Sequence, residues 1–146
     1  MEITYRKMTR ADFDDVLDTM RTFYTSPAVA TDGSEEIYRA DIEACLDPES
    51  PLTGYVFTEA ETCVGYALTY PGFATEYGRP CVWIEDLYLT SETRGRGVGR
   101  RFLTELAAAN PNALLRLEAE EENRPAVHLY RSVGFTEVPY LELWKL

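Results

Sequence analysis

Between a strand-like run at residues 81–89 and the helically spaced Phe102, Leu103 and Leu106, the chain reads Arg94-Gly95-Arg96-Gly97-Val98-Gly99-Arg100-Arg101. Glycine lets a backbone turn sharply and bring its N–H groups close to a ligand. Arginine meets phosphate oxygens through a planar fork of donors. A helix that begins at such a loop adds free N–H groups and the positive end of its dipole. The segment therefore demands strand, tight loop and helix in succession, and it reads as the holder of a phosphorylated ligand. A further strand is predicted at 113–119, and strand, helix, strand across 81–119 imply a right-handed parallel crossover.

The rest of the chain supplies hairpins and helices around that crossover. Ile3 and Tyr5 suggest a first strand. Thr9 and Asp12 form a near capping box ahead of Phe13, Val16, Leu17, Met20 and Tyr24, which follow helical spacing. Ser26-Pro27 ends that helix. A second helix is predicted from Asp32-Gly33-Ser34, with Tyr38, Ile42, Cys45 and Leu46 on its apolar face and Asp47-Pro48 as its stop. Residues 54–58 and 63–70 read as strands joined by Glu59-Ala60-Glu61-Thr62, and Pro71-Gly72 with Gly78-Arg79-Pro80 punctuate a longer loop. Helices are predicted at about 97–109 and 123–133. A last hairpin, 135–138 and 140–145 with Pro139 near its turn, closes the chain. The expected fold is α+β: one domain over 1–146, with a central mixed, mostly antiparallel sheet and helices on both faces.

Composition narrows the function classes. Of 146 residues, 14 are basic and 25 acidic, a net charge of −11, which argues against nucleic acid as the general partner and would attract a small cation. No apolar run approaches the roughly 18 residues of a membrane helix. The start Met1-Glu2-Ile3-Thr4-Tyr5 lacks the layout of a signal peptide. A cytoplasmic protein without membrane contact is expected. Cys45, Cys63 and Cys81 are far apart and form no CxxC pair, and His128 is the only histidine. Neither a metal site nor a disulfide framework is expected.

The loop matches no lysine-dependent phosphate motif, because residues 94–101 contain no lysine. Gly97-Val98-Gly99 is followed by Arg100-Arg101-Phe102, so the third glycine of a dinucleotide fingerprint is missing. Arg94-x-x-Gly97-x-Gly99 resembles the acyl-CoA pyrophosphate loop of the GNAT superfamily of N-acetyltransferases. Asn123, Ala126, Tyr130, Gly134 and Phe135 have the spacing of that superfamily's next motif. Ile84-Glu85-Asp86-Leu87-Tyr88-Leu89 leading into Arg94-Gly95 is similar to the diamine (spermidine/spermine) acetyltransferases.

That resemblance implies acetyl-CoA as co-substrate and direct transfer of its acetyl group to a primary amine of a small, cationic, polyamine-like acceptor. The alternatives are an amino acid, an aminoglycoside or a protein amino terminus as acceptor, or, in another class, a non-catalytic acyl-CoA sensor. A homodimer is expected only by analogy with relatives. A lysine-like amine with a pKa of roughly 10.4 is neutral about once in 2,500 molecules at pH 7, a cost of about 4.6 kcal/mol. A carboxylate can take that proton. Glu85 is the candidate, as base or as a carboxylate that only attracts the cation. Regular alternation would put Asp86 on the opposite face. Tyr130 corresponds to the superfamily's general acid, able to protonate the departing thiolate. The run Leu87, Tyr88 and Leu89 is implied to line the acetyl and pantetheine arm, with backbone N–H groups of Leu87 and Leu89 facing it. Gly95, Gly97, Val98 and Gly99 would present N–H groups to the pyrophosphate, with Arg94 and Arg100 as charge partners. Arg96 and Arg101 either join them or face solvent. Asn123 either contacts the CoA arm, beside Ala126, or caps its helix. Glu118-Ala119-Glu120-Glu121-Glu122 is either a lure for a polycation or a solvated loop.

Overall fold

The computed structural model describes residues 2–146. Five strands run in the order β1 (Ile3–Lys7), β2 (Thr53–Glu59), β3 (Thr62–Ala74), β4 (Arg79–Leu89) and β5 (Leu114–Leu117). The first three pairings are antiparallel and β4–β5 is parallel. The helices are α1 (Phe13–Tyr24), α2 (Glu35–Leu46), α3 (Val98–Ala109) and α4 (Arg124–Ser132). The mixed α+β fold expected from the sequence is the fold observed.

Alternation along the strands divides the core into two layers. Val56, Tyr66, Leu68 and Tyr88 pack with Val16, Leu17 and Met20 of α1 and Tyr38 and Ile42 of α2. Phe57, Val64, Ala67 and Ile84 pack on the other face with Phe102, Leu103 and Leu106 of α3, and α4 adds Leu129 and Tyr130 at the edge. Arg6 and Asp12 fix the entry to α1. The Asp12 carboxylate accepts from both Arg6 terminal nitrogens and, at 2.8 Å, from the Thr9 N–H. The Arg6 guanidinium is the main reason its pKa is lowered to about 2.

Three expectations need correction. Pro71 and Gly72 lie inside β3 rather than in a loop, with Pro71 opposite Val82. Pairing with β2 ends at Thr69, so this part of β3 has a neighbour on one side only. A proline without an N–H is tolerated at such an edge. The strand predicted at 113–119 stops at Leu117. No strand forms beyond α4, so the last hairpin is absent among the described residues. An alternating pattern is only half of a strand; the other half is a partner with unspent hydrogen-bonding groups, and four-residue β5 offers a short edge. Leu141, Leu143, Trp144 and Leu146 of this tail stay exposed.

Phe102 is the keystone of the α3 layer. It is 1% exposed, and its ring lies 5.1–5.4 Å from the rings of Tyr5, Tyr55 and Phe57. Truncating a buried phenylalanine leaves a cavity as well as losing transfer energy. Phe102→Ala should lower the unfolding free energy by about 3 kcal/mol, read from urea denaturation. A loss below about 1 kcal/mol would show that the layer repacks without it.

Candidate functional site

The site begins with a fault in one strand pairing. On β3, Leu68 pairs with Asp86 and the next residue, Thr69, pairs with Ile84, so Glu85 bulges from β4 without a partner. A bulge adds one residue and resets the alternation of side chains. Ile84 therefore belongs to the α3 layer while Asp86 and Tyr88 turn towards α1. The sequence expectation of opposite faces for Glu85 and Asp86 assumed a regular strand. The bulge breaks that regularity: Asp86 turns to Tyr24 and Tyr66, while Glu85 has no partner across the ladder.

The parallel ladder ends at the same level, with Ile84 opposite Leu117. Beyond it the walls separate, and a cleft of about 70 Å³ opens. Ile84, Glu85, Asp86 and Leu87 form one wall, Leu117, Glu118 and Ala119 the other, and Asn123, Ala126 and Tyr130 of the α4 end close it. Backbone direction follows from one bond: the Thr90 N–H donates to the Val64 carbonyl of β3. In an antiparallel pair the N–H groups alternate in direction, so Asp86 and Tyr88 also turn to β3. Leu87 and Leu89 turn the other way, along the edge that β5 has left. The Leu89 carbonyl on that edge accepts from Arg94 Nε at 2.9 Å.

The glycine–arginine loop lies just beyond Leu89. Gly95 and Gly97 have φ of 76° and 78°, the left-handed region that a side chain disfavours. Gly97 caps α3 with no side-chain bond, so the first-turn N–H groups of Val98, Gly99 and Arg100 have no acceptor within the helix. Gly99 faces α4: a Cβ there would meet Leu129 Cδ2 at 3.0 Å. Arg94 stacks over the Tyr88 ring at 5.5 Å. Arg100 donates to Ser132 Oγ of α4. Arg96 pairs with Glu59 at 2.6 Å. Arg101 donates to the Ile3 carbonyl and neighbours Glu2 and Glu105. Arg96 and Arg101 thus stay partly open to solvent while paired to the scaffold.

The second motif is built around α4. Asn123 starts the helix without a side-chain cap bond and is one of the residues that line the cleft. Gly134, with φ of 105°, turns the chain at the helix end, and the Phe135 N–H donates to the Tyr130 carbonyl. Phe135 then lies against the Tyr130 ring at 5.9 Å. Burial raises the pKa of the Tyr130 hydroxyl. Glu85, Leu87, Asn123, Ala126 and Tyr130 therefore meet at one cleft, whereas Arg94 to Arg100 stand beside it and the Tyr88 side chain packs behind it.

The cleft is acidic. Burial raises the pKa of Glu85, and the charges of Asp86 and Glu142 raise it further. Glu118 shares a hydrogen bond with Glu142 of the tail and is pushed up to about 7. Asp41 is raised to about 6 by burial and by the charges of Asp86 and Glu85. Asp41 and Glu142 were not legible as site residues, because each is distant in sequence and carries no motif. Among the described residues, no group of three His, Cys, Asp or Glu is arranged to hold a metal ion. No described helix is long and apolar enough to cross a membrane.

Known proteins resemble this chain in sequence and in fold. The sequence profile of the acetyltransferase (GNAT) family matches residues 13–135. Thialysine N-epsilon-acetyltransferase of Bos taurus is 33% identical over 120 residues, 76% of this chain and 69% of that protein. N-alpha-acetyltransferase RimI of Mycobacterium tuberculosis is 47% identical over 95 residues, 61% of this chain and 56% of that protein. An aminoglycoside N-acetyltransferase solved in complex with CoA superposes with a TM-score of 0.80 at 14% identity, over 99% of this chain and 95% of the other, a likeness of fold. The chain belongs to the acetyltransferase (GNAT) family.

Proposed function

We propose that this acetyltransferase moves an acetyl group from acetyl-CoA directly to a primary amine of a small cationic acceptor. The observation that carries the reading is the convergence of Glu85, Leu87, Asn123, Ala126 and Tyr130 on the cleft where β4 and β5 part. The residues suit the pyrophosphate and the pantetheine arm of the donor. The left-handed glycines and the first turn of α3 offer N–H groups to a pyrophosphate. The open edge of β4 offers the N–H groups of Leu87 and Leu89 to an extended amide-bearing arm, in the manner of an added strand.

Each catalytic need then has a residue. Glu85 takes the proton of the ammonium group, directly or through one water, and frees the lone pair. The amine nitrogen bonds to the acyl carbon as the carbon–sulfur bond breaks. The Leu87 N–H faces the gap where negative charge gathers on the acyl oxygen, and a fixed donor there lowers the barrier. Tyr130 gives its phenolic proton to the departing sulfur, and the second proton that the nitrogen sheds on becoming an amide restores the phenol. Burial keeps that hydroxyl protonated at neutral pH, as a donor requires.

The acceptor side is read from charge. Glu85, Asp86 and Glu118 line the cleft, and Glu142 and Asp41 stand close behind. This field favours a cation, and the name of the Bos taurus relative fits an amine of that kind. The likeness to the mycobacterial N-alpha-acetyltransferase favours a protein amino terminus as the second reading.

Thiol release from acetyl-CoA, measured with thialysine, linear diamines, an aminoglycoside and a peptide with a free amino terminus, separates these readings. Small cationic amines should turn over fastest. Preference for the peptide would support the second reading, and CoA binding without release for any amine would contradict transfer altogether. Tyr130→Phe should lower kcat by about 100-fold, the scale of one proton-transfer catalyst, with little change in CoA affinity by calorimetry. Near wild-type turnover would remove Tyr130 from the mechanism.

A further inference from the structure

Asp86 is a charge that none of these steps uses. It is 8% exposed and adjoins the bulged Glu85 in β4. Tyr66 Oη of β3 donates to its Oδ2 at 2.6 Å, and Tyr24 Oη of α1 donates to both its oxygens at 3.0 and 3.1 Å. Burying a carboxylate is costly, and hydrogen bonds alone could join these elements with neutral groups. No arginine, lysine or histidine hydrogen-bonds or pairs with it among the described residues; its partners are two phenols.

We propose that Asp86 is a positioning residue for the proton transfer: clamped by Tyr24 and Tyr66, it holds a fixed negative charge beside Glu85 and so keeps Glu85 able to take the amine's proton. The inference rests on the reading of Glu85 as the proton acceptor. A base that is too acidic has little driving force for accepting a proton from an ammonium group. A like charge on the next residue disfavours ionised Glu85, while phenol donors favour ionised Asp86. Burial disfavours the charge on both neighbours, and only Asp86 has phenol donors that counter it. Burial raises Asp86, and the hydrogen bonds from Tyr66 and Tyr24 oppose that rise.

The groups that surround the pair make the assignment specific. Glu85 is faced by Asp86 of its own strand, Asp41 of α2, Glu118 beyond β5 and Glu142 of the tail. Asp86 is faced by Tyr24 of α1, Tyr66 of β3, and Asp41 and Cys45 of α2. None of these is a cationic side chain. Asp86 is the member of the set held by two phenol donors, and these favour its ionised form.

Carbon-13 NMR titration of the side-chain carboxyls in the free protein tests this. In Asp86→Asn the Glu85 midpoint should move to lower pH, a shift that exposed Glu36 does not share. The acid limb of kcat/KM for the amine should move the same way. Tyr24→Phe keeps the Asp86 side chain and the Tyr66 bond, and it should shift the Glu85 midpoint in the same direction by less. A Glu85 midpoint unmoved in a folded variant overturns the role of Asp86; should Asp86→Asn fail to fold, Tyr24→Phe decides by the same criterion. The titration needs neither donor nor acceptor, so this failure differs from that of the underlying reading, which would be full turnover in Glu85→Gln.

Discussion

The parallel ladder between β4 and β5 ends at Ile84 and Leu117, and the site depends on that ending. Glu85 bulges on one side of β4 just as β5 stops on the other. The N–H groups of Leu87 and Leu89 then face an edge without a strand. Unpaired backbone groups on a sheet edge form a template for an extended ligand. The packing beneath keeps the edge rigid: Tyr66, Leu68 and Tyr88 are fixed by α1 and α2, and Ala67 and Ile84 by α3. The two walls of the cleft cannot slide together without disturbing both layers.

Charge gives the cleft its direction. The positive loop at 94–101 and the start of α3 lie at one end, and five carboxylates from β4, α2, the segment after β5 and the tail gather at the other. Under the proposed function, an anionic donor and a cationic acceptor would each be drawn to the end that suits them. The four arginines of the loop are not idle charges: each is tied to the scaffold, through Leu89, Glu59, Ser132 or Ile3. Guanidinium groups held in this way lose less freedom when they meet a phosphate.

Much of the fold was legible because it rests on local patterns. The helical spacing of Phe13 to Tyr24 and of Phe102 to Leu106 gave helices where helices stand. The loop glycines and the Asn123–Tyr130–Phe135 spacing pointed to two parts of the chain that do meet at one end of the sheet. What could not be read depends on partners distant in sequence. Nothing in Ile84-Glu85-Asp86 marks a bulge, since the bulge is a relation to Leu68 and Thr69. Pro71 reads as a turn residue, and only the end of pairing with β2 makes it acceptable in a strand. The tail alternates like a strand and has none to join. Tyr24, Tyr66 and Asp86 come from three elements, and no motif joins them.

The central claim is that the open edge of β4 is the donor slot. Amide hydrogen exchange on the protein with and without CoA measures this residue by residue. The N–H groups of Leu87 and Leu89 should gain protection on binding, while those of Asp86 and Tyr88, already bonded to β3, should change little. Protection that appears only around Val98 and Gly99, with Leu87 and Leu89 unaltered, would contradict the account.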